Sequence, residues 1–176
     1  MTPILERIGL ARLIPLAILS ASVGALGFAY ISEIGFGFEP CRLCLYQRIP
    51  FAIAGILALF ALAGPMEGAP RGRTQTILIT LCGLIFLTGS AIAFYHVGVE
   101  QHWWTSAACS GPPPGELSFA QMQQALIKGE PKACDIVDWR LFGISMAGYN
   151  IVYSLLLAIG CFASTKILST KVLKTS

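Results

Sequence analysis

The chain has 176 residues, of which 55% are hydrophobic and only 12% are charged, and its formal net charge is +3. Soluble domains carry about 25% charged residues, so this composition excludes an ordinary soluble domain and indicates a membrane protein. Four windows contain no Asp, Glu, Lys or Arg, namely 13–32, 49–66, 74–99 and 141–165. Each is long enough to cross a membrane, because about 20 apolar residues in a helix span a hydrocarbon core of roughly 30 Å.

These windows are predicted to be helices, because lipid offers no partners to an unpaired backbone. The expected architecture is all-α, a single domain over residues 1–176 built as a bundle of four transmembrane helices. The predicted spans are approximately 13–32, 49–65, 76–95 and 144–164. The first window is longer than the apolar region of a signal peptide, so we interpret it as a retained anchor.

The distribution of basic residues predicts the orientation. With four spans both termini lie on one side, and that side carries seven Lys and Arg residues against five on the other. The positive-inside rule therefore predicts cytoplasmic termini. It leaves two loops outside, 33–48 and 97–143.

The second outer loop is predicted to contain one short helix. After the Pro-rich stretch 110–115, residues 118–130 begin with Ser118 and Gln121 in capping-box spacing, and apolar residues then recur at helical intervals. We interpret this segment as an amphipathic helix on the membrane surface. The alternative is a helix packed on the loop's own residues.

The six cysteines separate into two groups by predicted compartment. Cys82 and Cys161 lie inside spans, where small buried hydrophobic residues are the expectation. The other four lie in the outer loops, where disulfides persist: Cys41, Cys44, Cys109 and Cys134. Structural zinc is disfavoured because 24 residues separate the last two, and a c-type haem requires His where the chain has Leu45. Static disulfides in both loops remain the main alternative.

The first pair favours redox chemistry over a structural bond. A disulfide between Cys41 and Cys44 closes almost no loop and stabilises little. Two thiols at this spacing can instead resolve mixed disulfides. Arg42 between them and the start of a helix near Cys44 both favour the thiolate.

Repeated oxidation of this dithiol needs an electron acceptor. The chain has no nucleotide-binding glycine motif and no haem or iron–sulfur ligand set. We therefore expect a membrane quinone, whose head group needs hydrogen-bond donors and positive charge. Arg48, one helical turn beyond Cys44, and His96, at the outer end of the third span, are the candidates. The alternatives are an arginine that snorkels to the interface and an interfacial histidine.

Four motifs in chain order carry a resemblance to a known family. They are "PCRLCLYQR" at the second span, "AFYHVGVEQHWW" leaving the third, a Pro-rich loop with one cysteine, and "CDIVDWRLFGISMAGYN" entering the fourth. From about residue 10 to residue 165 the chain resembles the disulfide bond formation protein B family, DsbB. The resemblance implies a bacterial inner-membrane thiol:quinone oxidoreductase, part of the relay that keeps the periplasm oxidising.

The same resemblance implies roles for individual residues. Cys41 and Cys44 would pass electrons to quinone, with Arg48 and His96 near its head group. Cys109 and Cys134 would reoxidise a periplasmic thioredoxin-fold oxidase resembling DsbA, with Cys109 forming the mixed disulfide. Cys134 would then pair transiently with Cys41. No metal or nucleic acid is expected.

Two other classes of protein fit parts of the pattern. The vitamin K epoxide reductase family also combines four helices, a Cys-x-x-Cys and a quinone, but its motif ends a late span. A non-catalytic membrane scaffold with two disulfide-bonded loops is the other. The sequence leaves open ubiquinone or menaquinone, the partner's identity, the oligomeric state and which of three cysteine pairings is present at rest.

Overall fold

The computed structural model describes residues 2–64, 71–106, 109, 133–137 and 139–173. Within these ranges the chain forms four long helices and one short β-hairpin. The helices are α1 (Thr2–Phe36), α2 (Arg42–Ala63), α3 (Arg71–Glu100) and α4 (Met146–Leu173). All four are long and apolar enough to cross a membrane. The predicted four-helix membrane bundle is therefore confirmed, whereas the predicted helix at 118–130 lies outside the described residues.

Each helix packs against its neighbour in the chain, and small residues let the helices approach closely. α3 lies against both α2 and α4, and α1 lies against α2. The core between them combines Phe51 and Phe86 with Ala54, Ala58 and Ala158, all of which are buried. Small side chains let helix backbones approach closely, which is how helices associate where lipid removes the hydrophobic driving force. Cys82 and Cys161 are free cysteines buried in the same core.

The second helix begins seven residues before its predicted span. Although proline inside a helix often kinks it, α2 runs from Arg42 through Pro50 without a break. Gly89 of α3 lies opposite, and a Cβ there would be 3.2 Å from the Pro50 side chain. The absence of a side chain at Gly89 therefore lets α3 pack against the proline.

Two sharp turns bring distant residues to one end of the bundle. α1 ends at Gly37, whose φ of 70° is left-handed, and α2 starts only five residues later. The hairpin pairs β1 (Arg140–Leu141) with β2 (Ile144–Ser145) and was not predicted. Its loop residues Phe142 and Gly143 both have positive φ, as type I′ turns require. Ser145 then caps α4 by accepting the Gly148 N–H at 3.2 Å.

Candidate functional site

Two thiols stand at the first turn of α2. Cys41 is the N-cap residue, and its Sγ accepts a hydrogen bond from the Cys44 N–H at 3.2 Å. The two Sγ atoms are 2.7 Å apart, and both cysteines are free. Because the N-cap side chain faces the unpaired N–H groups of the first turn, negative charge on Cys41 is favoured there.

Cys41 is the more acidic member of the pair. The hydrogen bond from the Cys44 thiol, helped by the His96 ring and the Cys44 N–H, lowers the pKa of Cys41 to about 4, although burial opposes this change. The sulfur of Cys41 is therefore a thiolate at neutral pH. The thiolate is the nucleophilic form in thiol–disulfide exchange.

His96 connects this dithiol to the rest of the site. It lies on α3 and is 4% exposed. Its Nε2 is 3.5 Å from Cys41 Sγ and 3.3 Å from the Cys134 carbonyl oxygen, and its Nδ1 is 2.7 Å from Gln47 Nε2. One turn later, Glu100 Oε1 lies 3.7 Å from His96 Nε2, while its buried Oε2 has no hydrogen-bond partner among the described residues.

The second cysteine pair lies beside the first. Cys109 and Cys134 form a disulfide with Cα atoms 5.4 Å apart. Buried Cys134 packs with Cys41, and partly buried Cys44 and Cys109 lie against the same group. We call these four residues, with their apolar neighbours Leu43, Val99 and Trp104, the cysteine cluster. The pairing that the sequence left open is thus one disulfide and one free dithiol in this structure.

Arg48 lies on α2 one turn beyond Cys44, as expected. Its Nη1 donates to Glu33 Oε2 at 2.7 Å, and its guanidinium lies 4.8 Å from the centre of the Tyr30 ring. The Arg48 side chain is only 15% exposed. The turn at Gly37 makes this ion pair possible, because it returns the chain antiparallel to the end of α1.

A cavity of about 560 Å³ opens next to the dithiol. Its walls come from α1, α2 and α4, and they are largely apolar. The polar side chains at one end include the predicted site residues Cys41, Cys44, Arg48 and His96. This volume lies within the range of about 300–1,000 Å³ typical of small-molecule sites, which combine apolar walls with a few polar groups.

Three further polar residues belong to this region. Gln47 and Asn150 are joined by a hydrogen bond of 2.6 Å, and both line the cavity with Glu100. Neither amide was predicted from the sequence. A signal for them existed, because polar residues within membrane spans are costly and usually functional. Asn150 in the apolar fourth window is the clearest case.

Trp104, at the edge of the cysteine cluster, is anchored to the end of α3. The indole N–H of Trp104 donates to the Tyr95 carbonyl at 3.0 Å, and its ring stacks on the Tyr95 ring. The Trp104 indole occupies the space that a Cβ at Gly98 would need. The glycine therefore lets the loop fold back over the end of α3.

A four-helix membrane bundle that carries a free dithiol next to a disulfide has the groups needed for thiol–disulfide exchange at a membrane. Comparison with known proteins agrees. The model of the family described as "Disulfide bond formation protein DsbB" matches residues 11–164, and the chain belongs to this family. Its function therefore lies in disulfide bond formation.

Individual relatives are moderately similar to this chain. Proteins named "Disulfide bond formation protein B" from Xanthomonas euvesicatoria pv. vesicatoria and Xylella fastidiosa are both 31% identical to it, over 143 and 140 residues. These alignments cover 79% and 77% of this chain, and 81% and 79% of the relatives. No solved structure matches the chain significantly.

Proposed function

We propose that this protein oxidises the dithiol of a periplasmic thioredoxin-fold oxidase and passes the two electrons to a membrane quinone. Both termini lie in the cytoplasm and the two cysteine-bearing loops lie in the periplasm, in the inner membrane of a bacterium. The observation that carries the proposal is the position of the Cys41–Cys44 dithiol, which lines the apolar cavity on one side and contacts the Cys109–Cys134 disulfide on the other.

The relay consists of exchanges in which atoms and electrons balance. The partner's two thiols reduce the Cys109–Cys134 disulfide and become a disulfide themselves. The resulting Cys109 and Cys134 thiols reduce a Cys41–Cys44 disulfide in the same way. The packing of Cys134 against Cys41 supports this second exchange. The state with one loop disulfide and a free Cys41–Cys44 pair is then the one that is ready to give up two electrons. Because Cys41 is already a thiolate, the pair releases one proton, that of the Cys44 thiol, and quinol formation takes its second proton from solvent.

The residues around the cavity suit a quinone. Its largely apolar walls match a ring with an isoprenoid tail, and the guanidinium of Arg48 offers N–H donors and positive charge at the polar end. A bound quinone supplies the two-electron acceptor. Ubiquinone and menaquinone both meet these requirements.

The chain's own groups prepare the dithiol for oxidation. The low pKa of Cys41 keeps its sulfur anionic, and the thiol of Cys44 donates a hydrogen bond to it. The ring of His96 also contacts that sulfur. Arg48 is held in place by Glu33 and Tyr30, so its charge faces the cavity without a large loss of side-chain entropy.

Quinone reduction by the purified protein tests the proposal. The protein in detergent is mixed with a soluble quinone and a reduced DsbA-type partner, and the loss of quinone absorbance is followed. Turnover should require the partner and should be abolished in Cys41→Ser, Cys44→Ser, Cys109→Ser and Cys134→Ser. Cys161→Ala is the matched control, because this free cysteine is buried in the bundle core outside the cysteine cluster.

The opposite result would support the scaffold interpretation. Folded protein that turns over no quinone, or four serine variants that all retain full activity, would show that the cysteines only hold the loops together.

A further inference from the structure

A chain of hydrogen-bonded side chains connects α4 to the dithiol, through buried Ser154 and Gln47 and partly buried Asn150. Ser154 Oγ donates to Asn150 Oδ1 at 3.0 Å, and Asn150 Nδ2 donates to Gln47 Oε1 at 2.6 Å. Gln47 Nε2 in turn lies 2.7 Å from His96 Nδ1. Ser154 and Gln47 are 0% and 6% exposed, so water competes little for these bonds. We call Ser154, Asn150 and Gln47 the amide chain, and it ends on the imidazole ring.

The surroundings of the other ring nitrogen determine where the proton of His96 lies. Nε2 is 3.3 Å from the Cys134 carbonyl oxygen and 3.7 Å from Glu100 Oε1. A carbonyl or carboxylate oxygen can only accept, so Nε2 must carry the hydrogen. A neutral ring has one N–H, and Nδ1 is therefore an acceptor. Gln47 must present its amide nitrogen to it, which is the orientation observed.

The orientation of Gln47 depends on its neighbour on α4. An amide has one donor end and one acceptor end. The Oε1 end of Gln47 is fixed by the Nδ2 of Asn150, and the Oδ1 end of Asn150 is fixed by the hydroxyl of Ser154. Reversing one amide alone would set donor against donor at a partly buried contact, which is costly. The whole amide chain therefore favours one direction.

We propose that Gln47 and Asn150 are positioning residues that keep a proton on Nε2 of His96, where it faces the sulfur of Cys41. Nε2 lies 3.5 Å from that sulfur. A ring with its proton on Nδ1 would offer the thiolate a lone pair instead of a donor. The catalytic consequence rests on the proposed function, in which Cys41 exchanges disulfides as a thiolate.

The ring nitrogens of His96 report this arrangement directly. The chain has only two histidines, and His102 is exposed, so ¹⁵N-histidine labelling gives two resolvable rings, assigned with a His102→Gln variant. Two-bond ¹⁵N–¹H correlations on the reduced protein in detergent should show a protonated Nε2 and an unprotonated Nδ1 for His96.

Asn150→Asp reverses the amide chain without changing its shape. The new carboxylate can only accept, so Gln47 must turn its amide nitrogen towards position 150 and its oxygen towards His96. Nδ1 then becomes protonated, and Gln47→Glu should give the same ring signals. When the single proton of a neutral ring moves to Nδ1, Nε2 no longer donates to the Cys41 thiolate, so quinone reduction should slow about tenfold in both variants. Gln101→Glu makes the same amide-to-carboxylate change at an exposed residue and should alter neither measurement.

Three outcomes would overturn the proposal. They are a protonated Nδ1 in the unaltered protein, an unchanged His96 spectrum in folded Asn150→Asp, and full turnover in a variant whose Nε2 has lost its proton. Failure of the proposed function is distinguishable, because the ring signals require neither quinone nor partner. The expected signals in a protein that reduces no quinone would contradict the relay and leave the tautomer assignment intact.

Discussion

The acidity of Cys41 should depend on the hydrogen bond that it receives from Cys44. Cys44→Ala removes the donor that contributes most to lowering the pKa of Cys41 to about 4. Burial, which favours the neutral thiol, remains, and the pKa of Cys41 should rise. Cys44→Ser keeps a hydroxyl donor at the same place and should keep the pKa low. The two variants differ in whether the side chain at position 44 can donate a hydrogen bond to the Cys41 sulfur.

The thiolate fraction sets the expected magnitude. At pH 6 a thiol with a pKa of about 4 is roughly 99% ionised, whereas one with the ordinary value of about 8.5 is roughly 0.3% ionised. Complete loss of the effect would therefore lower the reactivity at pH 6 about 300-fold. Because the His96 ring and the residue 44 N–H still contact the sulfur, we expect a decrease of about tenfold to 100-fold in Cys44→Ala.

Alkylation with iodoacetamide between pH 3 and pH 9 measures this directly. Peptide mass analysis separates Cys41 from Cys82 and Cys161, which are buried in the core, and the loop disulfide does not react. The midpoint of the Cys41 profile should move to higher pH in Cys44→Ala and stay near the original in Cys44→Ser. Identical profiles for the two variants would refute the assigned cause, and a midpoint near 8.5 in the unaltered protein would refute the assigned acidity.

Two further predictions concern the support of the site. Gly98→Ala places a methyl group where the Trp104 indole lies and should destabilise the protein by about 1–3 kcal/mol in thermal unfolding. Gly24→Ala is the control, because a Cβ at Gly24 has nothing within 4 Å, and it should not destabilise the protein. Equal melting temperatures for the two variants would contradict this prediction. Arg48→Lys replaces the planar guanidinium that binds Glu33 with an ammonium group. The KM for quinone should rise about tenfold, while the KM for the thiol partner stays constant. A change in the partner's KM alone would contradict the role given to Arg48.

Sequence patterns alone were sufficient to predict the four-helix architecture. Runs of about 20 uncharged residues have one stable form in lipid, so the four helices followed from composition. The ends of the helices were predicted less well, because the membrane thickness sets the length of the apolar run, whereas a helix can continue beyond the membrane. α2 begins at Arg42, in the first predicted loop, since Cys41 supplies a cap that hydropathy does not register.

The part of the candidate site that could be predicted consists of residues close together in sequence. The spacing of Cys41 and Cys44 indicated redox function without any tertiary information. The free state of this pair and the Cys109–Cys134 disulfide needed the structure, because four cysteines allow three pairings. Local spacing also suggested Arg48, yet its partner Glu33 depends on how α1 and α2 turn back on each other.

The contacts of His96 explain why the remainder of the site could not be predicted. Its ring directly contacts Cys41, Gln47 and Cys134, which lie 38 to 55 positions away in sequence. Through Gln47 the ring is also linked to α4. A pattern within one helix cannot reveal such a convergence. The physical requirement that buried polar groups be paired can, because an asparagine in an apolar span must find a partner in the bundle. Asn150 finds it in Gln47, one side chain away from His96, which links the fourth helix to the Cys41–Cys44 dithiol.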